Sequence, residues 1–462
     1  VAQPTVDILG GDVIMLEFDQ IQGLVLSGYG HLDHAGYVFL RIDEAAKARH
    51  WLAEQVPKVT NARKPVVKPE RCMNIALTAT GLRALGLPHD AVESFSTEFR
   101  EGPAEPNRAR IMGDTALNDP ANWDYGGPRT ERFDLLLMLF AEGHAGRDAY
   151  REEYRAGFEA AGLTEVCTQN GYRTPDSHEH FGFFDGISQP GIVGAKESTS
   201  PEDVQAGEFV FGYMNEYAHL SPVPGSTALG DDVLGKNGTY LVFRKLAQDV
   251  TALHTFLSSA TDGTAAQMDF LGAKMVGRWR SGAPLVLSPH ADDPLLGEDT
   301  KRNNAFLFAE ADPLGMACPI GSHVRRTNPR DSLEPSPPES LKTVRRHAIL
   351  RRGRSYGALY DETNGDHLRG LIFIALNTDI KRQFEFIQGA WMNDPQFAGL
   401  YDGRDPISAA RSPDNPHTTM TIPRFPFSRE VCGVPQMVTT QGAGYFFLPG
   451  IAALEYLSTL QS

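Results

Sequence analysis

Gly36-Tyr37-Val38-Phe39-Leu40-Arg41 is a short run of β-branched and aromatic residues that leads directly into a helical pattern from Asp43 to Glu54. Roughly 200 residues later Gly238-Thr239-Tyr240-Leu241-Val242-Phe243-Arg244 repeats the design, followed by a helical pattern from Leu246 to Leu257. Each reads as a buried strand followed by an amphipathic helix. A second helical segment follows each copy, Asn74 to Leu87 in the first and Met268 to Trp279 in the second. Two β–α copies at this separation imply two related α+β domains that arose by duplication, although two such units can also resemble one another by chance.

Outward from these runs, Phe133 to Phe140, Gly370 to Leu376 and Gly444 to Pro449 are continuous apolar stretches that read as further strands. Ser198 to Gly207 and Leu220 to Asp232 are rich in Ser, Pro, Gly and Asp and read as linker or surface loop. The expected organisation is therefore an N-terminal domain over 1–197, a linker over 198–232 and a C-terminal domain over 233–462. Leu333 to Leu341 and Tyr401 to Pro423 carry enough proline to be expected as irregular loops.

The composition narrows the function classes. A length of 462 residues supports two or three domains with a large core, and 41% hydrophobic with 22% charged residues is ordinary for a globular protein. A formal net charge of -15 argues against nucleic acid or an anionic membrane surface as partner. No apolar run is long enough to span a bilayer. The four cysteines, Cys72, Cys167, Cys318 and Cys432, lie far apart with no CxxC pair, which excludes a thiolate cluster and fits a reducing compartment. Val1 to Gly11 shows neither a basic nor an apolar leader region, so a cytoplasmic location is expected if Val1 is the native start. The chain does not begin with Met, and secretion after removal of a signal stays open.

Three segments carry chemistry. His180-Phe181-Gly182-Phe183-Phe184-Asp185-Gly186-Ile187-Ser188-Gln189-Pro190 sets one carboxylate between two glycines and among aromatic residues. The glycines let the backbone turn tightly against a flat ligand, and dry surroundings turn a carboxylate into a usable proton shuttle. Taken alone, Asp185 reads as an ordinary turn aspartate. Met316 to Arg330 places His323 after small residues and before Arg325, Arg326 and Arg330. An imidazole is the commonest axial ligand of haem iron, and arginine suits the two haem propionates. Arg345 to Gly357 holds five arginines within the ten residues 345–354, around an apolar triplet that reads as a strand. Alternation along that strand sends Arg351 and Gly353 to one face and Arg352 to the other.

Together these segments resemble one family, the dye-decolourising peroxidases. Gly182-Phe-Phe-Asp185-Gly186 is similar to its Gly-x-x-Asp-Gly motif, His323 to its proximal iron ligand, and Arg351, six residues before Gly357, to its distal arginine. Ile21 to Tyr29, Asp119 to Trp123, Lys236 to Arg244 and Phe384 to Gln388 also look like family blocks, so the likeness spans nearly the whole chain and is greatest for the longer fungal and related bacterial members. The resemblance implies two ferredoxin-like α+β domains, each a four-stranded antiparallel sheet with helices, paired in a barrel-like arrangement. It implies haem b held mainly by the second domain, and H2O2 as oxidant. Asp185 would move a proton between the two peroxide oxygens while Arg351 stabilises the negative charge that develops as their bond breaks. Since aspartate titrates well below histidine, activity is expected to extend to acidic pH.

Further roles follow, some from the same resemblance and some from the chemistry of a haem site. Leu371 and Phe373 match positions over the haem, Tyr356 and Trp391 match surface radical sites that would pass electrons from bulky dyes, and Arg325, Arg326 and Arg330 are candidates for the propionates. Asp405 is the candidate acceptor for the second ring nitrogen of His323. Expected reductants are dyes, phenolics and other aromatic molecules, with Mn(II) open, and the protein is expected as a monomer or homodimer. Two rival classes stand beside this reading. One is a metal-dependent hydrolase using His178, His180 and Asp185, since His-x-His on a strand puts both imidazoles on one side. The other is a non-catalytic haem carrier or sensor anchored by His323.

Overall fold

The computed structural model describes residues 15–195, 202–225, 233–361, 363, 368–412 and 414–461. The first half forms β1 (His34–Ile42), β2 (Arg71–Leu77), β3 (Leu135–Ala141) and β4 (Leu163–Tyr172), arranged β4-β1-β3-β2 with every pair antiparallel. The helix Ala45–Gln55 follows β1 and the helix Gly143–Arg155 follows β3. The second half repeats this plan. β5 (Thr239–Gln248) is followed by the helices Val250–Ser259 and Ala265–Val276, then by β6 (Leu350–Arg351), β7 (Arg354–Tyr356) and β8 (Gly370–Asn377). Next comes a separate hairpin of β9 (Thr418–Ile422) and β10 (Arg429–Val434), and β11 (Val438–Leu448) ends the sheet in the order β11-β5-β8-β7, with β6 also on β8.

With β6 and β7, which both pair with β8, taken as one interrupted strand, both halves are four-stranded with their strands in the same order of chain appearance, which is the two ferredoxin-like domains expected above. They meet edge to edge through two narrow seams, Leu77 opposite Phe447 and Tyr172 opposite Ser355, so the sheet closes on itself. The strands read as unbroken apolar runs because both of their faces are covered. Tyr37 and Phe39 of β1 pack ring to ring against Phe243 of β5, at centroid distances of 5.2 and 5.3 Å, in a core shared by both halves. Val38, Leu40, Val242 and Tyr445 face the other way, into the layer beneath the helices. No helix among the described residues is long and apolar enough to cross a membrane.

Five expectations need correction. Asn74 to Leu87 begins as strand β2, and only Ala79–Ala84 is helical, because the first helix after β1 had already filled that place in the repeat. Leu246 to Gln248 complete β5, so the second helix starts at Val250, behind an Asp249 side chain that accepts from the Ala252 amide. The proline-rich segment 333–341 contains the start of the helix Pro337–Arg346, since proline is tolerated where a first-turn amide has no partner to lose. Thr418–Ile422, within another expected loop, pairs with β10. The supposed linker 198–232 lies partly outside the described residues. Its described portion, 202–225, buries Val204, Phe209, Val210, Phe211 and Tyr213 in the core and behaves as packed structure.

Candidate active site

The outward face of β8 and β5 forms one wall of a cavity of about 1660 Å³. Leu371 and Phe373 alternate onto it while Ile372 and Ile374 point into the core, as period-two geometry requires. Their neighbours across the ladder, Leu246 and Arg244 of β5, lie on the same wall. The irregular chain that carries His323 and the loop with Asp185 also line the cavity.

His323 is the first residue of the short helix His323–Thr327. Its Nδ1 lies 2.9 Å from Asp405 Oδ2. Asp405 is fully buried, and its Oδ1 accepts from the amides of Ile407 and Ser408 at 2.9 and 2.8 Å. Burial opposes the charge on Asp405, yet His323 and these donors hold its carboxyl below the usual range. The imidazole shows the converse, with burial opposing its cation and Asp405 raising its pKa overall. Because Nδ1 is engaged, Nε2 is the ring nitrogen left open to the cavity.

Asp185 ends a miniature hairpin. Its amide donates to the Ser177 carbonyl at 2.8 Å, and His178 is bridged to Phe184. Asp185 Oδ1 accepts from the Gly186 amide at 2.7 Å, and Oδ2 has no partner among the described residues. Phe181 and Phe183 are buried beneath the turn, whereas Asp185 itself is exposed rather than in the dry surroundings expected for it, because it sits past the buried rings at the mouth of the turn. Arg351 stands on β6 opposite Ala375, on the same face of the sheet as Leu371 and Phe373. Its Nη2 donates to the carbonyls of Ile187 and Ser188 at 2.8 and 3.4 Å, while its amide donates to Gln189 Oε1 at 3.0 Å. A fixed cation from the second half is therefore tied to the Asp185 loop of the first.

The other candidate residues fall elsewhere. Arg325, Arg326 and Arg330 are buried and absent from the cavity wall. Arg325 pairs with Asp312, Arg326 donates to the carbonyls of Trp391 and Asp394, and Arg330 pairs with Glu202. The helical turn that puts His323, Val324 and Thr327 on the cavity turns Arg325 and Arg326 away from it. Among the buried arginines that do line the cavity, Arg244, Arg278 and Arg354, Arg278 donates through Nη2 to Asn304 Oδ1 at 3.1 Å. Tyr356 and Trp391 are each only 5% exposed, so neither is a surface site. Tyr356 packs in the shared core with the Lys245 ammonium 5.3 Å from its ring centre, and Trp391 lies among Phe386, Phe397 and His347, touching the cavity from inside. His180 Nε2 lies 2.8 Å from the Tyr356 carbonyl, away from Asp185, and no group of three His, Cys, Asp or Glu side chains that could hold a metal ion occurs among the described residues.

Two features were missed by the sequence. Phe384, Ile387, Gln388, Trp391 and Met392 reach the cavity from a wide-turned π-helical segment, Lys381–Glu385 and Ile387–Met392. Such segments are rare and recur at functional sites. Glu179, two residues after Ser177, also lines the cavity. A haem fits what is present: a space large enough for a macrocycle, one imidazole nitrogen open to it, and a buried cation for a carboxylate on its wall.

Comparison with known proteins agrees with the geometry. No protein-family model matches the chain. It is 32% identical to a protein of Exidia glandulosa named "Dye-decolorizing peroxidase", over 96% of this chain and 87% of that one. It superposes with a TM-score of 0.82 on the crystal structure of a fungal DyP-type peroxidase from Auricularia auricula-judae, at 28% identity over 96% of this chain and 99% of that one. A solved dye-decolorizing peroxidase in complex with 2,6-dimethoxyphenol is 28% identical with a TM-score of 0.80, over 96% of this chain and all of that one.

Proposed function

Because this chain belongs to the dye-decolourising peroxidase family and is a haem peroxidase, we propose that His323, Asp185 and Arg351 are the residues that run its reaction with H2O2. The cofactor we assign is haem b, and the reductants are aromatic molecules of the 2,6-dimethoxyphenol kind. When bound, haem supplies an iron that receives peroxide and takes up its two oxidising equivalents. His323 Nε2 is the ligand this chain offers that iron. Asp405 keeps the ring in one tautomer by accepting from Nδ1, which makes Nε2 the better donor. Arg278 is the candidate partner for a propionate.

Asp185 takes the proton from the near oxygen of peroxide and gives it to the far one, so that water leaves. Its open Oδ2 serves this purpose, since Oδ1 is held by Gly186. Arg351 keeps a permanent cation beside the breaking bond, and its tether to Ile187 removes the cost of orienting it. Leu371 and Phe373 restrict the space, which favours peroxide over a dye. The carrying observation is that an acid from one half and a cation from the other line the cavity that His323 opens onto, with the cation tied to the loop that follows the acid.

Stopped-flow mixing of the haem-loaded enzyme with H2O2 tests this. Asp185→Asn and Arg351→Leu are each expected to slow the peroxide-dependent spectral change by about 10²- to 10⁴-fold. Wild-type rates in both variants would overturn the assignment. A carrier or sensor would show a haem spectrum indifferent to peroxide.

A further inference from the structure

We propose that Glu179 is the positioning residue of this site, its carboxylate folding the Phe181–Phe183 turn so that Asp185 is delivered to the cavity. Three donors converge on it. The amide of Phe181 donates to Oε2 at 2.9 Å, the amide of Phe183 to Oε1 at 3.0 Å, and Gln248 Nε2 to Oε2 at 2.6 Å. The main chain closes the same loop, with the Glu179 amide donating to the Phe183 carbonyl at 3.0 Å and the Gly182 amide to the Glu179 carbonyl at 2.8 Å. Residues 179–183 therefore form a closed knot around one anion. The Phe184 amide then donates to the Arg280 carbonyl, and the Asp185 amide to that of Ser177.

Only an ionised carboxylate satisfies this arrangement. It is acceptor-only, with two oxygens for three N–H groups, whereas a glutamine would place its own NH₂ against an amide. Burial works against the charge, and nearby Asp185 adds to the opposition, so the carboxyl sits above its ordinary range. Keeping a charge in so unfavourable a place makes sense where its donors hold a loop whose shape matters. Gln248 belongs to β5, so the knot is also anchored to the second half. No hydrogen bond links Glu179 to Asp185, and its influence runs through the backbone between them.

This proposal rests on the role given above to Asp185, and the experiment separates the two. The rate of reaction with H2O2 is measured for Glu179→Gln, Asp185→Asn and the double variant, beside the KM for 2,6-dimethoxyphenol. Glu179→Gln is expected to slow the peroxide step by about ten- to a hundredfold, the cost of misplacing a reacting group by an ångström, with the phenol KM unchanged. Added to Asp185→Asn it should cost nothing more. Hydrogen exchange of the peptide spanning 179–185 should quicken about tenfold in Glu179→Gln, in both haem-free and haem-loaded protein. Gln248→Ala, which removes one donor and leaves the fold alone, should show a smaller loss in the same direction, and it decides the matter if Glu179→Gln does not fold. A Glu179→Gln rate within about twofold of wild type, or losses that multiply in the double variant, overturns the proposal. A normal rate in Asp185→Asn overturns the role of Asp185, and this one with it.

Discussion

At Gly182 the backbone stands at φ +85°, and a Cβ there would run into the Arg280 guanidinium, which itself donates to the Phe181 carbonyl at 2.9 Å. Gly182→Ala should cost about 1–3 kcal/mol, read as a lowered midpoint in urea unfolding, because both the conformation and the space are glycine's. Asp405→Asn tests the other side of the site. Losing the charge that His323 leans on should weaken haem retention by about ten- to a hundredfold, measured by transfer of haem to an apoprotein acceptor. At this scale the sequence displays side-chain chemistry well and partners poorly. Asp185 and Arg351 stand out by composition, since a lone acid among aromatics and a cation beside a strand are unusual. Asp405 lies 82 residues from His323, and spacing does not establish the pair. Glu179 was passed over because two of its three donors are backbone amides, which a sequence does not print. Arg325, Arg326 and Arg330 misled because a basic run looks the same whether it meets a ligand or carbonyl groups.

Strand β8 shows what periodicity can and cannot do for an element. Leu371, Phe373, Ile372 and Ile374 divide between cavity and core as alternation predicts. Ile372→Ala should therefore lose about 2–5 kcal/mol of stability in urea unfolding. Phe373→Ala, facing the cavity, should lose less while widening access, read as a lower KM for a bulky dye at constant KM for H2O2. Elements set by tertiary context were less legible. Pro337 and Pro338 look like breakers and instead begin a helix. The wide turns of Ile387–Met392 leave no periodic mark that separates them from an α-helix, yet they put Trp391 and Met392 on the cavity wall.

Across the whole molecule, the duplication was visible in two strand–helix copies, whereas closure of the sheet was not, because each seam rests on a single facing pair. Buried ion pairs reinforce the union. Arg108 of the first half donates to both oxygens of Glu385 in the second at 2.9 and 2.8 Å, and Arg244 of the second half grips Asp114 of the first. Glu385→Ala should cost about 3–5 kcal/mol by stranding the Arg108 cation, toward the lower figure because Glu101 also reaches it. Equilibrium unfolding in urea would read the loss, and partial recovery in Arg108→Met/Glu385→Met would identify its origin. The closed sheet has one more consequence, for behaviour in crowded solution. Rows of unsatisfied amides and carbonyls along a sheet's rim are what recruit a neighbouring chain into fibrils, and joining the two halves shortens that rim, although each seam pairs a single residue on either side. The two-residue β6 hands its outer amide to Gln189, and the β9–β10 ribbon is kinked between Val431 and Val434. A folded molecule of this shape offers other copies of itself less template than two open sheets would, and opening either one-pair seam is the step that would add to it.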